Sequence, residues 1–227
     1  MDTEQLIHQL ADHPAPVRRL PAPWRRAAVW FAISLPYVVV VVFTHSMPAS
    51  MPIDLSQMLH DRQFIIEQIA TLLTAITAVM AAFCSVVPGY DRRILLVPLL
   101  PLAIWLLSLG EGCVNDWIRL GARGLALRPD WNCLPPAALI GIVPALAIVI
   151  MLRRGAPLYP RITLALAALA VAALGNFGLR IYHVGDASIM VLVWHFGSVI
   201  VLALLASWIG QIVLRWKTAD RAAGPHT

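Results

Sequence analysis

Cys113 and Cys133 are the residues of this chain best suited to chemistry. They stand at the two margins of a polar insert between long apolar segments, Gly110-Glu111-Gly112-Cys113-Val114-Asn115-Asp116-Trp117 and, after a short link, Asp130-Trp131-Asn132-Cys133. Each has an Asp-Trp pair close by, Asp116 with Trp117 and Asp130 with Trp131. Three chemistries are open to such a pair. A permanent disulfide would close a loop of about 20 residues and restrict the unfolded chain by ~3 kcal/mol on the entropy model. A reversible redox switch would use the same bond. A thiolate pair would bind a soft metal, because thiolate with imidazole favours zinc, cadmium or copper(I). His45, His60, His183 and His195, with Asp116, Asp130 and Asp186, are expected on the same face as the cysteines. There is no close-spaced Cys-x-x-Cys or His-x-x-x-His unit, so a metal site would have to be assembled from several loops.

The elements that must position these residues are membrane helices. The chain has 227 residues, 59% hydrophobic and 13% charged, whereas a soluble domain is roughly 45–50% apolar. A spanning helix needs about 20 mainly apolar residues, because backbone polar groups in hydrocarbon are satisfied only within the helix. Six runs qualify: Ala27–Thr44, Phe64–Val87, Ile94–Gly110, Leu134–Leu152, Ile162–Leu179 and Ser188–Val213. The expected fold is all-α, a polytopic membrane protein of six transmembrane helices with short loops. A tail (1–26) precedes the six-helix domain (27–213), and a second tail (214–227) follows it. The first run lacks a small-residue cleavage site behind it and reads as a true span.

Charge sets the orientation. Of the 17 Lys and Arg, 12 fall in four places: Arg18, Arg19, Arg25 and Arg26; Arg92 and Arg93; Arg153, Arg154 and Arg161; Arg215, Lys217 and Arg221. All four lie on one side of a six-span topology. The positive-inside rule then puts both termini in the cytoplasm and the cysteine pair in an oxidising compartment. The basic clusters are read as topology signals and headgroup contacts, with the bilayer as partner and no direct role for nucleic acid.

Along the chain, Leu6, Ile7 and Leu10 share one face of a short helix capped by Thr3, followed by the basic linker Val17-Arg18-Arg19-Leu20. The pattern fits an interfacial helix anchored by Trp24 and Trp30, and equally a docking peptide. Glu67, within a turn of its helix end, is expected to face outer water. Cys84 lies near the opposite end of that helix and reads as a packing residue. Pro98 and Pro101 imply irregularity at the start of the third span. Ala165, Ala168, Ala172 and Gly175 recur at spacings of three and four, which lets backbones approach closely and places the fifth span in the middle of the bundle. His195 reads as a hydrogen-bonded interior residue. Phosphate loops, nucleophile elbows and a Cys-x-x-Cys relay are lacking, so the chain is read as a non-enzyme needing no cofactor.

Taken together, these motifs resemble the NrsF family of bacterial inner-membrane anti-sigma factors. The likeness rests on Leu6-Ile7-x-x-Leu10-Ala11, Pro16-Val17-Arg18-Arg19-Leu20 and Pro23-Trp24-x-Arg26-Ala27; on Val87-Pro88-Gly89; and on Trp105-Leu106-x-Ser108-Leu109-Gly110-x-Gly112-Cys113 through Asp116-Trp117. It continues in Trp131-x-Cys133, Arg153-Arg154-Gly155-Ala156-Pro157 and Asp186-Ala187-Ser188-x-Met190-x-x-x-Trp194-His195. The resemblance implies a multi-pass inner-membrane protein that holds an ECF-type sigma factor at the cytoplasmic face and releases it on periplasmic metal or oxidative stress. It implies that Cys113 and Cys133 are the sensor, as a disulfide or with a soft metal ion, and that Asp116, Trp117, Asp130, Trp131, His183, Asp186 and His195 support it. Leu6, Ile7, Leu10, Val17, Arg18, Arg19 and Leu20 would then contact the sigma factor. The competing reading is a small transporter or metal-handling protein, favoured if Glu67, Asn176 and His195 converge on a polar cavity near midplane. No internal repeat supports it.

Overall fold

The computed structural model describes residues 3–5, 20–46, 60–121, 134–155, 159–182, 193 and 197. These contain five long helices and no strand: α1 (Pro23–Ser46), α2 (Arg62–Cys84), α3 (Leu99–Leu120), α4 (Leu134–Leu152) and α5 (Pro160–Tyr182). All five are long and apolar enough to cross a membrane. The sixth apolar run, Ser188–Val213, lies outside the described residues apart from Val193 and Gly197.

Local chemistry sets the helix ends. α1 begins at Pro23, ahead of the apolar run, because proline has no N–H to lose in a first turn and its φ already suits a helix. α2 is capped by Asp61, whose carboxylate accepts from the N–H groups of Gln63 (2.9 Å) and Phe64 (3.3 Å). The expected irregularity before the third span is a short 3₁₀ turn, Arg92–Leu96, opened by Asp91, which accepts from Arg93 N–H. Regular helix resumes only after Pro98.

The first half of the polar insert is not a loop. α3 runs on through Gly110–Trp117 to Leu120 and stops at Gly121, whose φ of +60° is the left-handed geometry that glycine accepts without penalty. Polar residues end an apolar run without ending a helix. Hydropathy therefore marked the edge of the oily segment and missed the true terminus.

α2 and α5 form the antiparallel centre of the bundle. Glu67 meets Arg180 at one end of their contact, and the Ser85 and Thr163 hydroxyls share a 2.7 Å hydrogen bond at the other. Ala75, Ala78, Ala81 and Ala82 on α2 and Ala170 and Ala173 on α5 are fully buried, so backbones approach closely where side chains are small. The central position of the fifth span is as expected, but of the four small residues expected at its contact face only Gly175 is buried. Ala165 is exposed and Ala168 and Ala172 are half-buried, while Ala167, Ala170 and Ala173 are in the core. A helix this rich in alanine offers small residues on several faces, and spacing alone does not choose among them.

α1 clasps α4 through three side chains that donate to backbone carbonyls: Arg26 to Met151, Trp30 to Pro144 (2.9 Å) and Tyr37 to Leu139 (2.8 Å). Their order shows the two helices to be antiparallel. Trp30 is thus no interfacial anchor; it is fully buried, and its indole N–H takes an acceptor inside the bundle. Trp24 is exposed, with the Arg25 guanidinium 5.1 Å from its ring centroid. α1 also presses on α5, where a Cβ on Gly178 would lie 2.6 Å from Val38 Cγ1.

Candidate functional site

These contacts separate the bundle into two chemically different ends. At one end Arg26 lies over the Phe83 ring (4.4 Å) and donates to Met151, Gly155 abuts Val86, and Arg92 lies over Tyr159 (5.3 Å). Arg25, Arg93, Arg153, Arg154 and Arg161 belong to the same end by their neighbours in the chain. A cavity of about 190 Å³ opens there between Cys84, Ser85, Tyr90, Asp91, Arg92 and Tyr159. Cys84 is buried and its thiol is free.

The opposite end carries Cys113. It sits on α3, half-buried, with a free thiol, one turn before the exposed Trp117. Asp116 follows it three positions on along the same helix. The two described cysteines, Cys84 and Cys113, therefore stand at opposite ends of the bundle, which agrees with the separation expected from the sequence.

Beside Cys113 is a junction that the sequence reading placed in water. Glu67 is 2% exposed, and its Oε2 accepts from Arg180 Nε at 2.9 Å. Its Oε1 accepts from Gln63 Nε2 at 3.0 Å, and the same amide reaches the Ser108 carbonyl of α3 at 3.4 Å. Arg180 also lies 5.9 Å from the Phe64 ring centroid. One carboxylate thus links three helices. Next to it, Gln68 Nε2 donates to the Phe177 carbonyl at 3.2 Å. Gln68 Oε1 and the amide nitrogen of the buried Asn176 have no hydrogen-bond partner among the described residues.

Glu67 and Arg180 are 113 positions apart, so no local pattern pairs them. The available signal was chemical: a carboxylate inside an apolar span must find a cation or a donor, and Arg180 stands at the same end of a neighbouring span. Glu67 and Asn176 both lie at the α2–α5 interface, whereas His195, the third residue the transporter reading required, lies outside the described residues. A cavity among the described residues lies at the other end.

The remaining expected site residues are divided. Asp116 and Trp117 share the helix of Cys113. Cys133, Asp130, Trp131, His183, Asp186 and His195 lie outside the described residues, and so do Leu6, Ile7, Leu10, Val17, Arg18 and Arg19. Leu20 is described and half-buried, just ahead of α1. Among the described residues, no group of three or more His, Cys, Asp or Glu is placed to hold a metal ion.

Comparison with known proteins adds one finding. Neither the curated proteins nor the solved structures contain a match to this chain. A family described as negative regulator of sigma F, NrsF, matches residues 10–216; the protein belongs to that family and is a negative regulator of a sigma factor.

Proposed function

We propose that this protein is an inner-membrane anti-sigma factor. It holds an ECF-type sigma factor at its basic, cytoplasmic end and releases it on periplasmic metal or oxidative stress, sensed through Cys113 and Cys133. The observation that carries this reading is the segregation of chemistry along the bundle. Seven of the ten described arginines, Arg25, Arg26, Arg92, Arg93, Arg153, Arg154 and Arg161, collect at one end, and Cys113 with Glu67 and Asp116 stands at the other, where Arg62, Arg119 and Arg180 lie. By the positive-inside rule the basic end faces the cytoplasm, where a sigma factor resides.

The tail residues Leu6, Ile7, Leu10 and Val17–Leu20 are short for a whole docking surface. The basic turns at 92–93 and 153–154 lie near the start of α1 and extend the surface available to an acidic partner. Cys113 and Cys133 are the sensor in this reading, with Asp116, Trp117, Asp130, Trp131, His183, Asp186 and His195 as supporting residues and a soft metal ion or oxidation as the signal.

The test is recovery of the sigma factor with membranes carrying the full-length protein, before and after exposure of intact cells to cadmium ion or diamide. Retention before exposure and loss after it are expected. No retention at all would remove the anti-sigma reading, and retention unaffected by either reagent would remove the sensing role.

A further inference from the structure

Glu67 presents the physical puzzle of this bundle. A carboxylate and a guanidinium inside an apolar bundle are costly to desolvate, and apolar residues of similar volume commonly hold helices together as well or better. The pair sits one helix away from Cys113 and is tied to the helix of Cys113 by Gln63, which bridges Glu67 Oε1 to the Ser108 carbonyl.

A second feature lies in the same α2–α5 interface. Gln68 Oε1 is a buried acceptor without a donor, and Asn176 Nδ2 is a buried donor without an acceptor. Gln68 follows Glu67 in sequence, Asn176 lies one turn from Arg180, and Gln68 already bonds to the carbonyl of Phe177, the residue after Asn176. Buried polar groups are nearly always paired, and leaving both atoms unmade has a cost that a bond between them would relieve. The interface therefore holds one satisfied set of hydrogen bonds and the complementary halves of another.

We propose that this junction is a two-position coupling element, in which Glu67, Arg180 and Gln63 lock α3 against the α2–α5 pair in the holding state, and Gln68 and Asn176 supply the bonds of the released state. It rests on the regulator reading for its biological consequence, but not for its mechanics. Chemical change at Cys113 moves α3, α3 pulls on Gln63, and the strength of the Glu67 contact sets how much change is needed. Glu67, Arg180 and Asn176 are positioning residues in this scheme; none has to touch the signal.

The experiment uses the full-length protein in native membranes with two readouts. One is the sigma factor recovered with the membranes. The other is the rate at which N-ethylmaleimide labels Cys113 in a Cys84→Ser/Cys133→Ser background. Glu67→Gln is expected to lower sigma recovery and to speed labelling, each by at least about fivefold, the lower end of usual coupling strengths. Asn176→Leu removes a bond of the released state and is expected to slow labelling, while Arg180→Lys stays near wild type. Opposite signs for Glu67→Gln and Asn176→Leu separate coupling from loosened packing, which would speed labelling in both.

Equal rates in both variants and wild type, or acceleration in both, overturn the proposal. If Glu67→Gln does not accumulate in membranes, Gln63→Leu replaces it; that variant keeps the ion pair, is expected to speed labelling likewise, and overturns the proposal if it does not. Failure of wild-type protein to retain any sigma factor sinks the regulator reading alone, and the labelling rates still decide the junction.

Discussion

The indole N–H of Trp30 on α1 donates to the carbonyl of Pro144 on α4 at 2.9 Å, with the whole Trp30 side chain out of reach of solvent. Arg26 and Tyr37 repeat the arrangement on the carbonyls of Met151 and Leu139. All three bonds cross between helices more than 100 positions apart in the chain. They add polar contacts to the van der Waals packing that draws helices together in a membrane.

The Trp30 contact divides into a polar part and a packing part of unequal size. An interhelical hydrogen bond inside a membrane protein is worth about 0.6 kcal/mol on average, whereas emptying a large aromatic site costs ~3–5 kcal/mol. Trp30→Phe should therefore be mild and Trp30→Ala severe, as measured by thermal unfolding in detergent. Similar losses in the two variants would show that the hydrogen bond, and not the packing, dominates.

Gly178 tests the close approach of α1 to α5. A methyl group there would meet Val38 Cγ1 at 2.6 Å and Val42 Cγ2 at 3.2 Å. Overpacking of this kind costs ~1–3 kcal/mol. Gly178→Ala should lower the unfolding temperature, and Val38→Ala in the same chain should restore much of the loss. A Gly178→Ala protein as stable as wild type would mean that the two helices part easily.

Five of the six expected spans, their order and the basic asymmetry were legible because each is a local property: an apolar run, a turn residue or a cluster of arginines. The break at Pro98 belongs to the same class; the Asp61 cap was equally local but went unread. The burial of Trp30 was not legible, since a tryptophan near a helix start looks alike whether it faces headgroups or a neighbouring helix. The Glu67–Arg180 pair was hidden for a related reason. Its two members are ordinary boundary residues until the antiparallel packing of α2 and α5 brings them together.

Cys113 and Cys133 carry the sensing role in the proposed function, and their removal should separate signalling from assembly. Cys113→Ser changes one atom of a half-buried side chain. It should leave membrane insertion intact while altering sigma-factor release on exposure of cells to cadmium ion or diamide, and Cys133→Ser should behave likewise. Reporter induction equal to wild type in both variants would transfer the sensing role to another part of the outer end.

The orientation of the bundle follows from placing Cys113 and the basic turns in different compartments. A membrane-impermeant maleimide applied to intact cells should label Cys113 when it is the only cysteine. A cysteine introduced at the exposed Tyr90 in a Cys84→Ser/Cys113→Ser/Cys133→Ser chain should react only after the inner membrane is opened. Labelling of both positions from the same side would contradict the placement of their ends.

The ion pair also makes a thermodynamic prediction independent of any signal. Arg180→Leu leaves the Glu67 carboxylate buried with Gln63 as its one side-chain donor among the described residues, and breaking a buried pair on one side costs ~3–5 kcal/mol. Glu67→Leu leaves the guanidinium near the Phe64 ring and should also destabilise. The double variant Glu67→Leu/Arg180→Leu removes both desolvated charges, so it should be more stable than either single variant and within about 1–2 kcal/mol of wild type. Unfolding in detergent across this four-protein cycle gives the coupling energy directly. Additive losses would mean that the 2.9 Å contact between Arg180 Nε and Glu67 Oε2 contributes nothing of its own, and that the surrounding packing alone holds α2 to α5.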